Sequence, residues 1–108
     1  MTNPTITLAA FQNLIRERYY PTDSARGIPG TFMWFIEEVG ELATALHDTK
    51  SATEKSDLAI TTAARANLHE EFADVLAWLC TLANIADVDL SKAVEKYTDP
   101  ERVKGVKD

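Results

Sequence analysis

The sequence predicts an all-α, four-helix-type bundle. Apolar residues recur at three- and four-residue intervals, strand-like alternation is absent, and Gly and Pro are few and clustered. The 108 residues suffice for one domain and one hydrophobic core. The chain is therefore read as a single domain, 1–108, with residues 98–108 as a charged tail open to disorder. A core this small is expected to be completed by dimerisation.

Each helix is placed by its stripe. The first spans Thr7 to Tyr19, with Leu8, Phe11, Leu14 and Ile15 on one side. Pro21, Gly27, Pro29 and Gly30 then interrupt the chain, and Thr31 is the expected N-cap of the next helix. That second helix, Phe32 to His47, carries Phe32, Phe35, Ile36, Val39, Leu42, Ala43 and Leu46 as its buried face. Gly40 within it signals either close packing or simple tolerance. A polar connector, Asp48 to Ser56, is expected to be exposed. The third helix begins near Asp57 and runs to about Asp87 on the stripe Leu68, Phe72, Val75, Leu76, Leu79, Leu82, Ala83 and Ala86. A short fourth helix, Leu90 to Tyr97, is capped by Asp89.

Charge narrows the function. Seventeen acidic against 11 basic residues give a net charge of -6, a sign that repels a nucleic-acid backbone. Cys80 is alone, so no disulfide framework exists and a reducing, cytoplasmic setting is expected. Met1 to Ala10 lacks the basic and apolar regions of a signal peptide. The most apolar stretch, Phe72 to Val88, is interrupted by Asp74, Asn84 and Asp87 and is short for a membrane span.

The chemistry lies in two acid clusters, Glu37-Glu38-Val39-Gly40-Glu41 and Glu70-Glu71-Phe72-Ala73-Asp74. Each holds a pair at i, i+3, which shares one helix face and repels itself. Measured from the centre of the apolar stripe at about 100° per residue, Glu38 and Glu41 lie about 100° and 160° round. Glu71 and Asp74 lie about 80° and 140° round in the same sense. Antiparallel packing with the stripes facing puts both pairs on one flank. Four carboxylates then converge. Such a nest suits a hard cation, Mg²⁺ or Mn²⁺, and through it a polyphosphate. The competing reading is a pair of solvated, Glu-rich helix faces.

With these residues quoted, the chain resembles the MazG-type nucleotide pyrophosphohydrolases of the all-α NTP pyrophosphatase superfamily. Their signature is E-E-x-x-E followed by E-x-x-D. The likeness continues through Leu82-Ala83-Asn84, Asp89-Leu90 and Lys96-Tyr97 and touches Asp23 and Arg26-Gly27, although the interval from Glu41 to Glu71 is slightly long. The resemblance implies Mg²⁺-dependent hydrolysis of nucleoside triphosphates to monophosphate and pyrophosphate, as house-cleaning of non-standard or surplus (deoxy)nucleotides. It also implies a homodimer or a dimer of dimers. Glu38, Glu41, Glu71 and Asp74 would be the metal ligands. Glu37 and Glu38 would be the catalytic acids, with Glu37 either a ligand or a water-orienting base. Lys96 would meet phosphate, assisted by Arg102.

Trp34 and Trp78, each one turn from an acid and on the acid flank, are candidates to stack on a nucleobase, against core or interface packing. Arg26 is a candidate phosphate contact, against plain surface solvation. His47 and His69 lack ligand partners, and Cys80 reads as buried filler. The alternative to an enzyme is a catalytically silent helical dimer that binds nucleotides or a protein partner.

Overall fold

A computed structural model describes residues 5–55 and 58–102, with side-chain environments for 5–50 and 61–102. Ser56 and Asp57, where the turn and the start of the third helix are expected, lie outside the described residues, as do 1–4 and 103–108 of the expected tail. The elements are α1 (Leu8–Lys55), α2 (Leu58–Ile85), α3 (Leu90–Ala93) and α4 (Glu95–Thr98). No strand occurs among the described residues.

α1 is two helical limbs meeting at Gly27, whose φ of 81° and ψ of 173° belong to neither. That conformation is open essentially to glycine alone. Thr7 starts the first limb, its hydroxyl accepting from the Ala10 N–H at 3.1 Å. The limb does not stop at Tyr19 as expected but runs through Pro21 to residue 26. Pro29 falls in the first turn of the second limb, where a missing N–H leaves no bond unmade. The interruption spread over Pro21 to Gly30 in the sequence is thus confined to one residue.

Thr31 is not the cap. It sits inside the second limb, fully buried, and its Oγ1 accepts from Arg26 Nε at 3.0 Å. The connector expected from Asp48 is also helical as far as Lys55, and Thr49 ties it to α2 by donating to the Ala64 carbonyl at 3.4 Å as well as to that of Ala45. Its Ala, Lys and Glu are adequate helix formers, so a polar composition there did not mark a loop. A Cβ on Gly40 would meet nothing within 4 Å, so tolerance explains it within this chain.

Trp34 facing Trp78 and Thr49 facing Ala64 set the second limb antiparallel to α2. The first limb packs near the C-terminal end of α2 through a buried amide clamp. Gln12 Nε2 donates to Asn84 Oδ1 at 3.0 Å and to the Val88 carbonyl at 2.8 Å, while its Oε1 accepts from the Leu90 N–H at 2.9 Å. α2 ends in a Schellman turn: Val88 N–H bonds to Ala83 O and Asp87 N–H to Asn84 O, with Asp87 at φ 58°. Asp89 caps α3 as expected, accepting from the Ser91 and Lys92 N–H groups. The fourth helix is two single turns, α3 and α4, separated at Val94.

The expected core stripes are only partly buried. Ile15, Ala45, Leu68, Cys80 and Ala83 are inside, but Phe32, Ile36 and Val39 on the second limb and Phe72, Leu76 and Leu79 on α2 are each 38–54% exposed. All six lie on the two helical segments that the antiparallel register brings together.

Candidate metal centre

The two E-x-x-acid pairs are brought together by the same register that stacks the tryptophans. Glu38 and Glu41 lie on the second limb, Glu71 and Asp74 on α2. One carboxylate oxygen each from Glu38, Glu71 and Asp74 falls within 4.8 Å of the others. Glu41 is not among these three but is near enough to raise the proton affinity of both Glu38 and Glu71. Glu37, in contrast, is exposed and does not join the three convergent groups.

This crowding has an electrostatic cost. Glu38 is raised from 4.5 to about 7, first by desolvation, then by the hydrogen bond and charge of Glu41, then by Asp74 and Glu71. Glu71 moves up as well, again through desolvation first and then through Glu41 and Asp74. Oε2 of Glu38 and Oε2 of Glu71 are buried without a hydrogen-bond partner. Among the described residues the salt bridges are Arg26–Asp23 and Arg102–Glu95, so no Lys or Arg neutralises the four acids. Buried acceptors left unsatisfied are rare in folded proteins. Unpartnered oxygens on clustered carboxylates fit a hard divalent cation, and the residues present therefore fit the metal that the acid pattern implies.

Beside the acids, Trp34 and Trp78 stack on each other, with centroids 6.0 Å apart and planes at 12°. Arg26 lies over Trp78, 5.0 Å from the ring centroid, and is ion-paired to Asp23. Trp34 remains about half exposed. Trp78, Arg26, Asp23 and Asp74 line a common cleft of about 350 Å³. Asp23, which the sequence places in the loop before the second helix as part of the family likeness, is instead helical and 5% exposed.

Lys96 and Arg102 are not drawn to the acids within the chain. The Lys96 ammonium lies 5.2 Å from the ring centroid of its neighbour Tyr97, and Arg102 pairs with Glu95 at 3.5 Å. Cys80 is fully buried and burial pushes its thiol up, which leaves it a packing residue.

Among the described residues, two neighbouring helices pool carboxylates in an arrangement that could hold a metal ion. The particular family follows from comparison: residues 29–101 match the MazG nucleotide pyrophosphohydrolase domain. The match spans more than half of the chain and contains both acid pairs, and the chain belongs to that family. No curated protein matches it.

Proposed function

We propose that this chain hydrolyses nucleoside triphosphates to nucleoside monophosphate and pyrophosphate with Mg²⁺, Mn²⁺ serving as substitute, and that the whole chain, 1–108, is one domain. The observation that carries this is the meeting of Glu38, Glu71 and Asp74 beside Glu41, with two buried oxygens unpartnered. Glu38, Glu41, Glu71 and Asp74 hold the cation. When bound, it neutralises the acids, polarises a phosphate and makes a water molecule more acidic.

The protein's own part is to orient and to take a proton. A water oxygen bonds to phosphorus, the bond between the α-phosphorus and its bridging oxygen to the β-phosphate or its β-side counterpart breaks, and the water's proton passes to a carboxylate. Of the two catalytic acids, Glu38 is engaged with the cation, and Glu37, exposed and outside the convergent group, is the one free to accept that proton. Trp34, Trp78 and Arg26, stacked in sequence beside the acids, are the groups that would meet the base and its phosphates. Lys96 and Arg102 meet phosphate across an oligomer interface, since neither faces the acids of its own chain.

That interface is a homodimer, or a dimer of dimers. The support is the apolar face of Phe32, Ile36, Val39, Phe72, Leu76 and Leu79 left open along the hairpin. The radius of gyration of 16.9 Å also exceeds the roughly 13 Å of a closed chain of this length. No helix among the described residues is long and apolar enough to cross a membrane. A cytoplasmic role in clearing non-standard or surplus (deoxy)nucleotides fits a single unpaired cysteine.

A panel of common and modified triphosphates incubated with Mg²⁺ tests the reading. Monophosphate and pyrophosphate should appear in equal amounts, and Glu38→Gln should slow them by at least about a hundredfold, as loss of a carboxylate that holds the catalytic cation does. Absence of monophosphate from every substrate, or equal rates in Glu38→Gln and wild type, refutes it.

A further inference from the structure

Across the bend at Gly27 the two limbs of α1 are tied by one side chain. Arg26, at the end of the first limb, reaches over the start of the second, and its Nε donates to Thr31 Oγ1 at 3.0 Å. Its stem crosses the backbone at Gly30, where a Cβ would stand 3.1 Å from Arg26 Cγ, so a glycine leaves the passage its full width. Its Nη2 donates to Asp23 Oδ1, and the guanidinium carbon lies over the Trp78 ring. Both oxygen partners are buried: Thr31 has no exposed surface and Asp23 has 5%.

These fixtures leave part of the guanidinium unused. Nη1 has no partner among the described residues, and the Arg26 side chain keeps 23% of its surface. Arg26 is the basic residue of the cleft that Asp74 also lines, and Asp74 belongs to the acid cluster. A lone surface arginine gives up rotamer freedom when it grips an anion. A guanidinium pinned on two nitrogens and one face has already lost that freedom, and its third nitrogen points in a fixed direction.

We infer that Thr31 is a positioning residue: its buried hydroxyl, together with Asp23, holds Arg26 so that Nη1 is preset to donate to a phosphate oxygen of a ligand bound at the acids. The inference rests on the acids being the phosphate end of the site. Thr31 touches no ligand and acts through Arg26 alone.

The test is calorimetric binding of inorganic pyrophosphate, with Mg²⁺, to the full chain as wild type, Thr31→Val, Thr31→Ser, Arg26→Lys and the double variant Arg26→Lys with Thr31→Val. Valine keeps the shape of threonine and removes the hydroxyl. Lysine keeps a positive charge for Asp23 and removes the planar fork. Thr31→Val should weaken binding roughly tenfold, the scale on which ordering one long side chain costs affinity, and Thr31→Ser should restore it. In the Arg26→Lys chain the valine should cost nothing more, because the hydroxyl acts through the fork. The Arg26 Nε–H resonance supplies a second readout. It should exchange slowly with water in wild type and Thr31→Ser and rapidly in Thr31→Val. Should Thr31→Val not fold, the wild-type chain decides, since its Arg26 side-chain signals should shift on addition of Mg²⁺ and pyrophosphate. Wild-type affinity in Thr31→Val, the same loss with and without the fork, no restoration by serine, or Arg26 signals unmoved by pyrophosphate overturns the inference. Pyrophosphate binding that follows this pattern without turnover of any triphosphate defeats the hydrolase reading and leaves this one standing; turnover with the two substitutions acting independently does the reverse.

Discussion

Removing divalent cations should make this protein less stable as pH rises through the neutral range. The cause is Glu38, whose proton is held to about pH 7 in the folded chain and released near 4.5 when its neighbours are dispersed. Between those values the folded state binds more protons than the unfolded one, so stability falls with increasing pH. The contribution is complete below about pH 4.5 and gone above about pH 7. A shift of that size corresponds to about 3 kcal/mol for an isolated group. Glu38 keeps partial contact with solvent, and screening reduces this to about 1–2 kcal/mol. For a chain of this length that is a fall in Tm of about 5–10 °C. The assay is thermal unfolding with EDTA from pH 5 to pH 8, followed by the same series with saturating Mn²⁺. The cation should restore the loss at pH 8, because it binds the folded carboxylates and not the dispersed ones. Glu38→Gln, neutral at every pH, should flatten the EDTA curve. A wild-type Tm in EDTA that is level or rising over this window, or that matches Glu38→Gln throughout, would show that the acids do not share one pocket.

Two further outcomes follow from the backbone and the open face. Gly27→Ala should cost about 1–3 kcal/mol, since φ 81° with ψ 173° excludes a Cβ; urea unfolding with an unchanged midpoint would show that the limbs join in another way. Ile36→Asp and Phe72→Asp should each yield a monomer in sedimentation equilibrium where the wild type is dimeric, because a buried, unpaired carboxylate at an interface is strongly disfavoured, whereas a dimer surviving both would move the interface elsewhere.

The acid site was legible because it depends on register alone. Three-residue spacing put each pair on one face, and an antiparallel hairpin left only one flank for both, so Glu38, Glu71 and Asp74 meet as the helical wheel requires. The boundaries were less legible because breaker residues show where a helix is able to stop, not where it does. Pro21 is carried inside the first limb, and Gly27 alone takes the bend. Thr31 has the chemistry of a cap, but its hydroxyl serves Arg26, a tertiary contact that local pattern does not contain. The same holds for Trp34 and Trp78. The wheel placed both on the acid flank, yet their facing each other depends on helix separation. Apolar stripes report only that a face avoids water, and Phe72 or Ile36 satisfies the pattern equally against its own chain or another.

The amide of Gln12 spends its donor and acceptor on Asn84, Val88 and Leu90, riveting the beginning of the chain to the hinge between α2 and α3. The wall of the cleft from Ile15 to Asp23 rides on that same limb. Loosening the rivet would open the cleft from its far end, and these distant segments should exchange their amide hydrogens together, as one cooperative block.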